Sequence, residues 1–204
     1  MGFNRRDLFK ALSVAGIAPL ASSLMAQEAT NKKTWPKKPV IPTDFNAQEF
    51  FEELQAKGKG VVIAGTKSPW VAYMVFDTQC PWCQWEFEQL KPFFGRVNFV
   101  WYPVAVLSPW SELQGAAILE SKDPQATLEA HFAHFKDAEF KGLDVRKMTP
   151  DFAMREAVFN NSKVYRRAGG RSVPFGVLKT PSGRYIPIAE QNAEKFEALL
   201  KSAS

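Results

Sequence analysis

Cys80 and Cys83 are the residues of this chain best suited to chemistry. They are the only cysteines among 204 residues, and Pro81 and Trp82 separate them. A C-x-x-C spacing fits a structural disulfide, two of the ligands of a zinc ion, or a redox pair that exchanges disulfides with other proteins. These interpretations make different demands on the rest of the chain.

The sequence gives little support to the structural and zinc interpretations. A disulfide that closes so short a loop stabilises a fold weakly, because the stabilisation grows with loop length. Zinc needs about four ligands, and only His131 and His134 are available to complete the set. They lie about 50 residues further along, at a helical i,i+3 spacing that is more typical of surface residues. We therefore predict no metal site.

A redox role explains more of the surrounding pattern. An apolar strand is predicted at 70–76, and Pro81 suits the first position of a following helix, which makes Cys80 the N-cap residue. There, unpaired backbone N–H groups and the helix dipole are expected to stabilise the Cys80 thiolate over the thiol. Cys83, one turn inside the helix, is expected to be less exposed and to keep a higher pKa. This asymmetry separates an attacking sulfur from a resolving one.

The remaining segments predict one α/β domain. The first half is expected to contain a short helix within 45–60, adjacent strands at 61–65 and 70–76, and a helix from the cysteines to about Phe94 with a kink at Pro92. A strand at 98–106 and a helical block at 109–168 follow, with Ser108 and Asp123 among the cap signals of the block. Two further strands and a terminal amphipathic helix complete the domain. The predicted order is β-β-α-β, helices, then β-β-α.

Three stretches, VAYMVFDTQCPWCQWEFEQLKPFF, GAAILESKDP and GGRSVPFGVLKTPSGR, resemble the catalytic domain of the periplasmic thiol:disulfide oxidoreductases DsbC and DsbG. The likeness covers about residues 60–204. It implies a thioredoxin fold with an all-helical insertion between the third strand and the cis-proline strand. It also implies a cis Val173–Pro174 bond that packs against the cysteine pair and pairs with an extended substrate. Pro81, Trp82 and Pro174 are then active-site support, and Val173 and Trp82 bind substrate.

Several positions depart from the family pattern, and the CPWC sequence itself is not the usual CGYC or CPYC of DsbC and DsbG. Met74 stands where many thioredoxin-like proteins carry a buried acid, so Asp77, Glu86 or solvent must take up protons from the second cysteine. Val173 replaces the usual threonine before the cis proline. The tryptophans are expected to divide between an apolar landing surface (Trp82 and Trp85) and internal packing (Trp70, Trp101 and Trp110).

The N-terminus predicts export. Residues 1–26 place Arg5, Arg6 and Lys10 before a short apolar stretch, which is the layout of a signal peptide, and the Arg5-Arg6 pair resembles the twin-arginine signal. The predicted domains are the signal at 1–26, an extended lead-in at 27–44, and the thioredoxin-like domain at 45–204. We therefore expect a periplasmic protein.

Charge and length limit the partners. The chain has a formal net charge of +5, about +3 without the signal, and its basic residues form no nucleic-acid stripe. Residues 27–60 are too few for the dimerisation domain of DsbC and DsbG, which predicts a monomer. Expected partners are exported cysteine-containing proteins and a DsbB-like or DsbD-like membrane protein, with no cofactor beyond the Cys80–Cys83 disulfide. A peptide-binding, chaperone-like module and a C-x-x-C metal carrier remain alternatives, and the direction of electron flow is open.

Overall fold

A five-stranded mixed sheet organises the part of the chain that the computed structural model describes, residues 38–63, 67–137 and 140–203. The strands are β1 (Val61–Val62), β2 (Val71–Phe76), β3 (Asn98–Pro103), β4 (Phe175–Lys179) and β5 (Tyr185–Ile188). They lie in the order β1-β3-β2-β4-β5. β2 and β3 are parallel, and every other neighbouring pair is antiparallel.

Six helices accompany the sheet in these residues: α1 (Ala47–Lys57), α2 (Pro81–Leu90), α3 (Pro109–Glu120), α4 (Pro124–Ala133), α5 (Phe152–Arg167) and α6 (Ala193–Ala203). Helices α3 to α5 all lie between β3 and β4, so the predicted helical insertion is confirmed. None of the six is long and apolar enough to cross a membrane. The predicted export signal and the first part of the lead-in fall within residues 1–37, outside the described part.

β2 is the central strand and carries the chain to the cysteines. Five of its six residues are buried, as expected for an apolar strand that is covered on both faces. Successive side chains point to opposite faces. On one face, Tyr73 stacks on Phe51 of α1, with ring centroids 3.9 Å apart. On the other face, Phe76 contacts Trp101 of β3 and Phe132 of α4.

Two strand predictions are wrong. β1 does not pair with β2, because β2 takes the parallel strand β3 as its neighbour through the α2 crossover, and β1 is left at the sheet edge beside β3. β3 also stops at Pro103 instead of continuing to Val106. The backbone N–H groups of Val106 and Leu107 donate to the Asp77 carboxylate rather than to a neighbouring strand.

The helix boundaries follow local sequence rules with one exception. Ser108 and Asp123 accept hydrogen bonds from backbone N–H groups at the starts of α3 and α4, as predicted. The predicted kinked helix to Phe94 is wrong. α2 ends at Leu90, and a 3₁₀ turn covers Lys91–Phe93, because Pro92 has no N–H to continue the α-helical ladder.

Phe87 fixes α2 to the sheet. It is fully buried, and its ring centroid lies 5.1 Å from that of Trp101 and 4.9 Å from that of Phe132. The helix that begins at the cysteines is therefore held to both β3 and the helical insertion by one side chain.

We expect Phe87→Ala to lower the free energy of unfolding by about 3–5 kcal/mol, because the truncation leaves a cavity in the core. Chemical denaturation monitored by circular dichroism measures the change. The matched control is Phe152→Ala, since Phe152 is 74% exposed and its loss should cost less than about 0.5 kcal/mol. Equal losses in the two variants would contradict this role for Phe87.

Candidate active site

The cysteine pair lies at the start of α2. Cys80 is the N-cap residue, with φ −94° and ψ 117°, and Pro81 occupies the first helical turn. The backbone N–H groups of Cys83 and Gln84 donate to the Cys80 carbonyl. The Cys80 side chain makes no capping hydrogen bond with the helix. Its thiol instead donates to the carbonyl of Val173, with 3.4 Å between sulfur and oxygen.

The loop before β4 closes over this sulfur. The Val173–Pro174 peptide bond is cis, as the sequence predicted, and both residues are buried. Since Cys80 and Val173 are 93 positions apart in the chain, their contact exists only because β4 pairs with β2. The structure thus brings together Cys80, Cys83, Val173 and Pro174.

The Cys83 thiol is buried, and burial disfavours its ionised form. Burial, followed by its hydrogen bond and charge interaction with Cys80, raises the pKa of Cys83 well above its ordinary value. The backbone N–H of Asp77 donates to the Cys83 sulfur across 3.4 Å. The direction of this pKa shift agrees with the expectation for Cys83. The expected difference in exposure is wrong, because both cysteines are fully buried.

The Asp77 carboxylate is held by four donors. Its Oδ1 accepts the Ser111 hydroxyl at 2.6 Å and the Gln79 N–H at 2.9 Å, and its Oδ2 accepts the N–H groups of Val106 and Leu107 at 2.8 and 2.9 Å. Burial raises the pKa of Asp77, and these hydrogen bonds oppose that rise. With every lone-pair direction occupied, Asp77 is poorly placed to accept a proton from Cys83.

The main chain of Asp77 contacts both cysteines. Its carbonyl accepts the Cys80 N–H at 3.0 Å, and its own N–H points at the Cys83 sulfur. Because its carboxylate simultaneously binds the start of the insertion, Asp77 connects the helical insertion directly to the cysteine pair.

Residues 78 and 79 strengthen the same connection. The Gln79 side-chain amide donates to Gln114 of α3 at 2.7 Å and to the carbonyls of Phe140 and Lys141. His131 of α4 is bonded to the Thr78 carbonyl at 2.8 Å.

His131 is a structural bridge rather than a free ligand. Its Nδ1 accepts the Leu143 N–H at 3.1 Å, so Nε2 carries the proton and donates to Thr78. Burial lowers the pKa of His131 to about 4, which keeps the ring neutral. His134 is exposed beside Asp137. Within residues 38–63, 67–137 and 140–203, no group of three or more potential ligands is arranged to hold a metal ion.

Glu86 is the buried acid on the same face of α2 as Cys83, one turn further along. Its Oε1 accepts the Gln191 N–H at 3.0 Å, whereas Oε2 is buried without a hydrogen-bond partner. Burial raises the pKa of Glu86 from 4.5 to about 8. At neutral pH this carboxyl is therefore predominantly protonated and keeps a free oxygen.

The tryptophans divide partly as predicted. Trp82 and Trp85 are half-buried and meet edge to face, with centroids 5.6 Å apart. Trp101 is fully buried and Trp70 packs against the core. The packing role predicted for Trp110 is wrong, because this side chain is 41% exposed.

The sequence did not reveal the hydrogen bonds that connect residues 77–79 to the helical insertion. Ser111, Gln114 and the structural role of His131 carry no motif, because each depends on a partner far away in the chain. The only local signal was Asp77 two residues before Gln79, the spacing of a side-chain turn.

Solved structures show the same fold. The catalytic domain of Proteus mirabilis ScsC matches with a TM-score of 0.60 at 17% identity, over 76% of this chain and 95% of that one. A periplasmic thioredoxin-like protein from Salmonella enterica serovar Typhimurium gives the same score, identity and coverage.

This chain has a thioredoxin fold. The thioredoxin-fold class predicted from the sequence, with its helical insertion, is confirmed by these neighbours and by the sheet order.

The sequence comparison also finds a thiol:disulfide interchange protein. The thiol:disulfide interchange protein DsbG of Pseudomonas aeruginosa is 28% identical over 140 residues, which are 68% of this chain and 53% of that relative. The chain thus matches about half the length of this relative, and it matches no protein-family model. The predicted resemblance to periplasmic thioredoxin-fold oxidoreductases is confirmed.

We expect Asp77→Asn to lower the free energy of unfolding by about 2–4 kcal/mol, because the new amide N–H₂ faces donors that had bound a charged oxygen. Denaturant titration of the reduced protein measures the loss. The control is Asp144→Asn, which removes an exposed ion pair with Arg146 and should cost less than about 1 kcal/mol. A loss no larger than that of the control would show that the Asp77 carboxylate holds nothing together.

Glu86 should make stability depend on pH. The pKa of Glu86 is about 8 in the folded state against 4.5 ordinarily, so its contribution is complete below pH 4.5 and is lost as pH rises through 8. Relative to Glu86→Gln, wild-type stability should fall between pH 5 and pH 8 by up to about 1.4 kcal/mol per pH unit. Denaturation at several pH values tests this, with Glu156→Gln, an exposed acid of α5, as the control. Parallel pH profiles for wild type and Glu86→Gln would contradict it.

Proposed function

We propose that this chain is a periplasmic thiol:disulfide oxidoreductase that makes, breaks or isomerises disulfides in exported proteins through Cys80 and Cys83. The observation that carries the proposal is the contact of the Cys80 thiol with the carbonyl of Val173, beside the cis Pro174 and with Cys83 one helical turn away. The relationship to DsbG and the periplasmic thioredoxin-like neighbour support it.

In the oxidising direction, a substrate thiolate attacks the Cys80 sulfur of the Cys80–Cys83 disulfide. The Cys80–Cys83 bond breaks, a mixed disulfide forms, and Cys83 leaves as a thiolate that takes up a proton. A second substrate thiolate then attacks the substrate sulfur of the mixed disulfide and releases Cys80. Two electrons pass from substrate to the pair, and the substrate gains a disulfide. Reduction of a substrate follows the same steps in reverse.

Glu86 fits the proton-transfer role better than Asp77. All four lone-pair directions of the Asp77 carboxylate are occupied, whereas Glu86 carries a proton at neutral pH and has an unpartnered oxygen. Residues i and i+3 of a helix lie on one face, so we propose Glu86, one turn after Cys83, as the group that supplies a proton when the disulfide opens.

The half-buried Trp82 and Trp85, together with the exposed Leu107 and Trp110, support binding of apolar segments of substrate proteins.

The direction of electron flow selects the membrane partner. A mostly oxidised pair in intact cells, measured by acid trapping, indicates a disulfide-forming role with a DsbB-like partner. A mostly reduced pair indicates isomerase or reductase duty with a DsbD-like partner. We propose that the chain acts as a monomer.

We expect Cys80→Ser to abolish insulin reduction, because it removes the attacking sulfur. Cys83→Ser should accumulate mixed disulfides with substrate proteins, because the resolving sulfur is missing. Non-reducing electrophoresis after acid trapping detects these adducts. Met148→Ser, a change at an exposed side chain, is the control and should retain wild-type insulin reduction. Retained insulin reduction in Cys80→Ser would refute the assignment and favour a peptide-binding module.

A further inference from the structure

Part of the predicted lead-in lies beside the cysteine site. Residues 38–40, which we call the strap, contact the two flanks of that site. On one flank, Lys38 Nζ is 2.7 Å from Glu190 Oε1 and 6.0 Å from the ring centroid of Trp82. On the other flank, the Val40 N–H donates to Ser172 Oγ at 2.9 Å, and the Ser172 hydroxyl donates back to the Val40 carbonyl at 3.4 Å.

Both flanks adjoin residues of the cysteine site. Trp82 lies between the cysteines in sequence, and Ser172 immediately precedes Val173, whose carbonyl accepts the Cys80 thiol. Pro39, between the two anchored residues of the strap, is buried. Cys80 itself is fully buried, although a sulfur that exchanges with other proteins must become accessible.

We propose that the strap occupies the groove in which an extended substrate segment lies, and that Trp82 and Glu190 form a subsite for a cationic side chain of that substrate. The inference rests on the proposed function and adds to it a substrate preference: a Lys or Arg residue immediately before the exchanging cysteine. In this arrangement Lys38 marks the position of the substrate cation, and Pro39 marks that of the substrate cysteine.

The chemistry of the subsite matches a cation. The face of a tryptophan ring attracts positive charge, and the Glu190 carboxylate supplies the counter-charge. The hydrogen bond from Lys38 lowers the pKa of Glu190, so this carboxylate is ionised when the strap is in place.

The strap is held weakly enough to be displaced. The Lys38 and Glu190 side chains are 66% and 26% exposed, and exposed ion pairs contribute little to stability. A second polar anchor joins the Ser172 hydroxyl to the main chain of Val40. A substrate that offers the same cation and an additional covalent contact with Cys80 can therefore replace the strap.

Accessibility of Cys80 tests the strap without requiring exchange activity. In the reduced full chain, we expect Lys38→Glu and Val40→Pro to raise the rate of Cys80 alkylation by iodoacetamide about two- to fivefold at fixed pH. Lys38→Glu repels Glu190, and Val40→Pro removes the N–H that binds Ser172. The matched control is Lys122→Glu, in the exposed turn between α3 and α4, which should leave the rate unchanged.

The direction of the effect separates strap release from simple electrostatics. A negative charge placed near Cys80 disfavours the thiolate and by itself slows alkylation. A higher rate in Lys38→Glu therefore indicates uncovering of the sulfur. Rates that do not rise in either strap variant would overturn the proposal.

A peptide pair tests the subsite. Oxidised wild-type protein should react about threefold faster with a peptide containing Lys-Cys-Val than with one containing Glu-Cys-Val, as followed by tryptophan fluorescence. The preference should disappear in Glu190→Gln. Exchange without a preference, or a preference that survives in Glu190→Gln, would overturn the subsite. If wild type reacts with neither peptide and does not reduce insulin, the proposed function fails instead, and the alkylation rates still decide whether the strap covers Cys80.

Discussion

The arrangement of the cysteine site depends on the buried carboxylate of Asp77. A charged group without solvent is costly unless donors surround it, and these donors come from its own loop, from the segment after β3 and from α3. Meeting this requirement fixes the main chain that contacts both Cys80 and Cys83. The geometry of the pair therefore depends on the insertion as well as on the sheet.

This dependence gives the helical insertion a definite role. A thioredoxin-type site can be built from β2, α2 and the cis-proline loop, and the insertion lies outside those elements. In this chain, each residue from Asp77 to Gln79 is nevertheless hydrogen-bonded to the insertion or to the segment that leads into it. Apolar packing acts in parallel, since Phe132 of α4 contacts both Phe76 and Phe87.

Short-range interactions made much of the fold and of the site predictable from the sequence. Pro81 after Cys80 predicted the helix start, and Ser108 and Asp123 predicted two caps, because these signals act within one turn of the chain. The resemblance supplied the cis bond at Pro174. The partner of β1, the end of β3 and the exposure of Trp110 were mispredicted, because each depends on which distant element lies alongside. The hydrogen bonds of Asp77 and His131 could not be predicted for the same reason.

The most direct test of a redox role for Cys80 and Cys83 is the equilibrium of the pair with glutathione, followed by tryptophan fluorescence of the wild-type protein. A redox site of this kind should interconvert reversibly, with a reduction potential between about −120 and −270 mV. A pair that stays oxidised throughout, with a potential below about −300 mV, would be a structural disulfide. That result would contradict a redox role for the two cysteines.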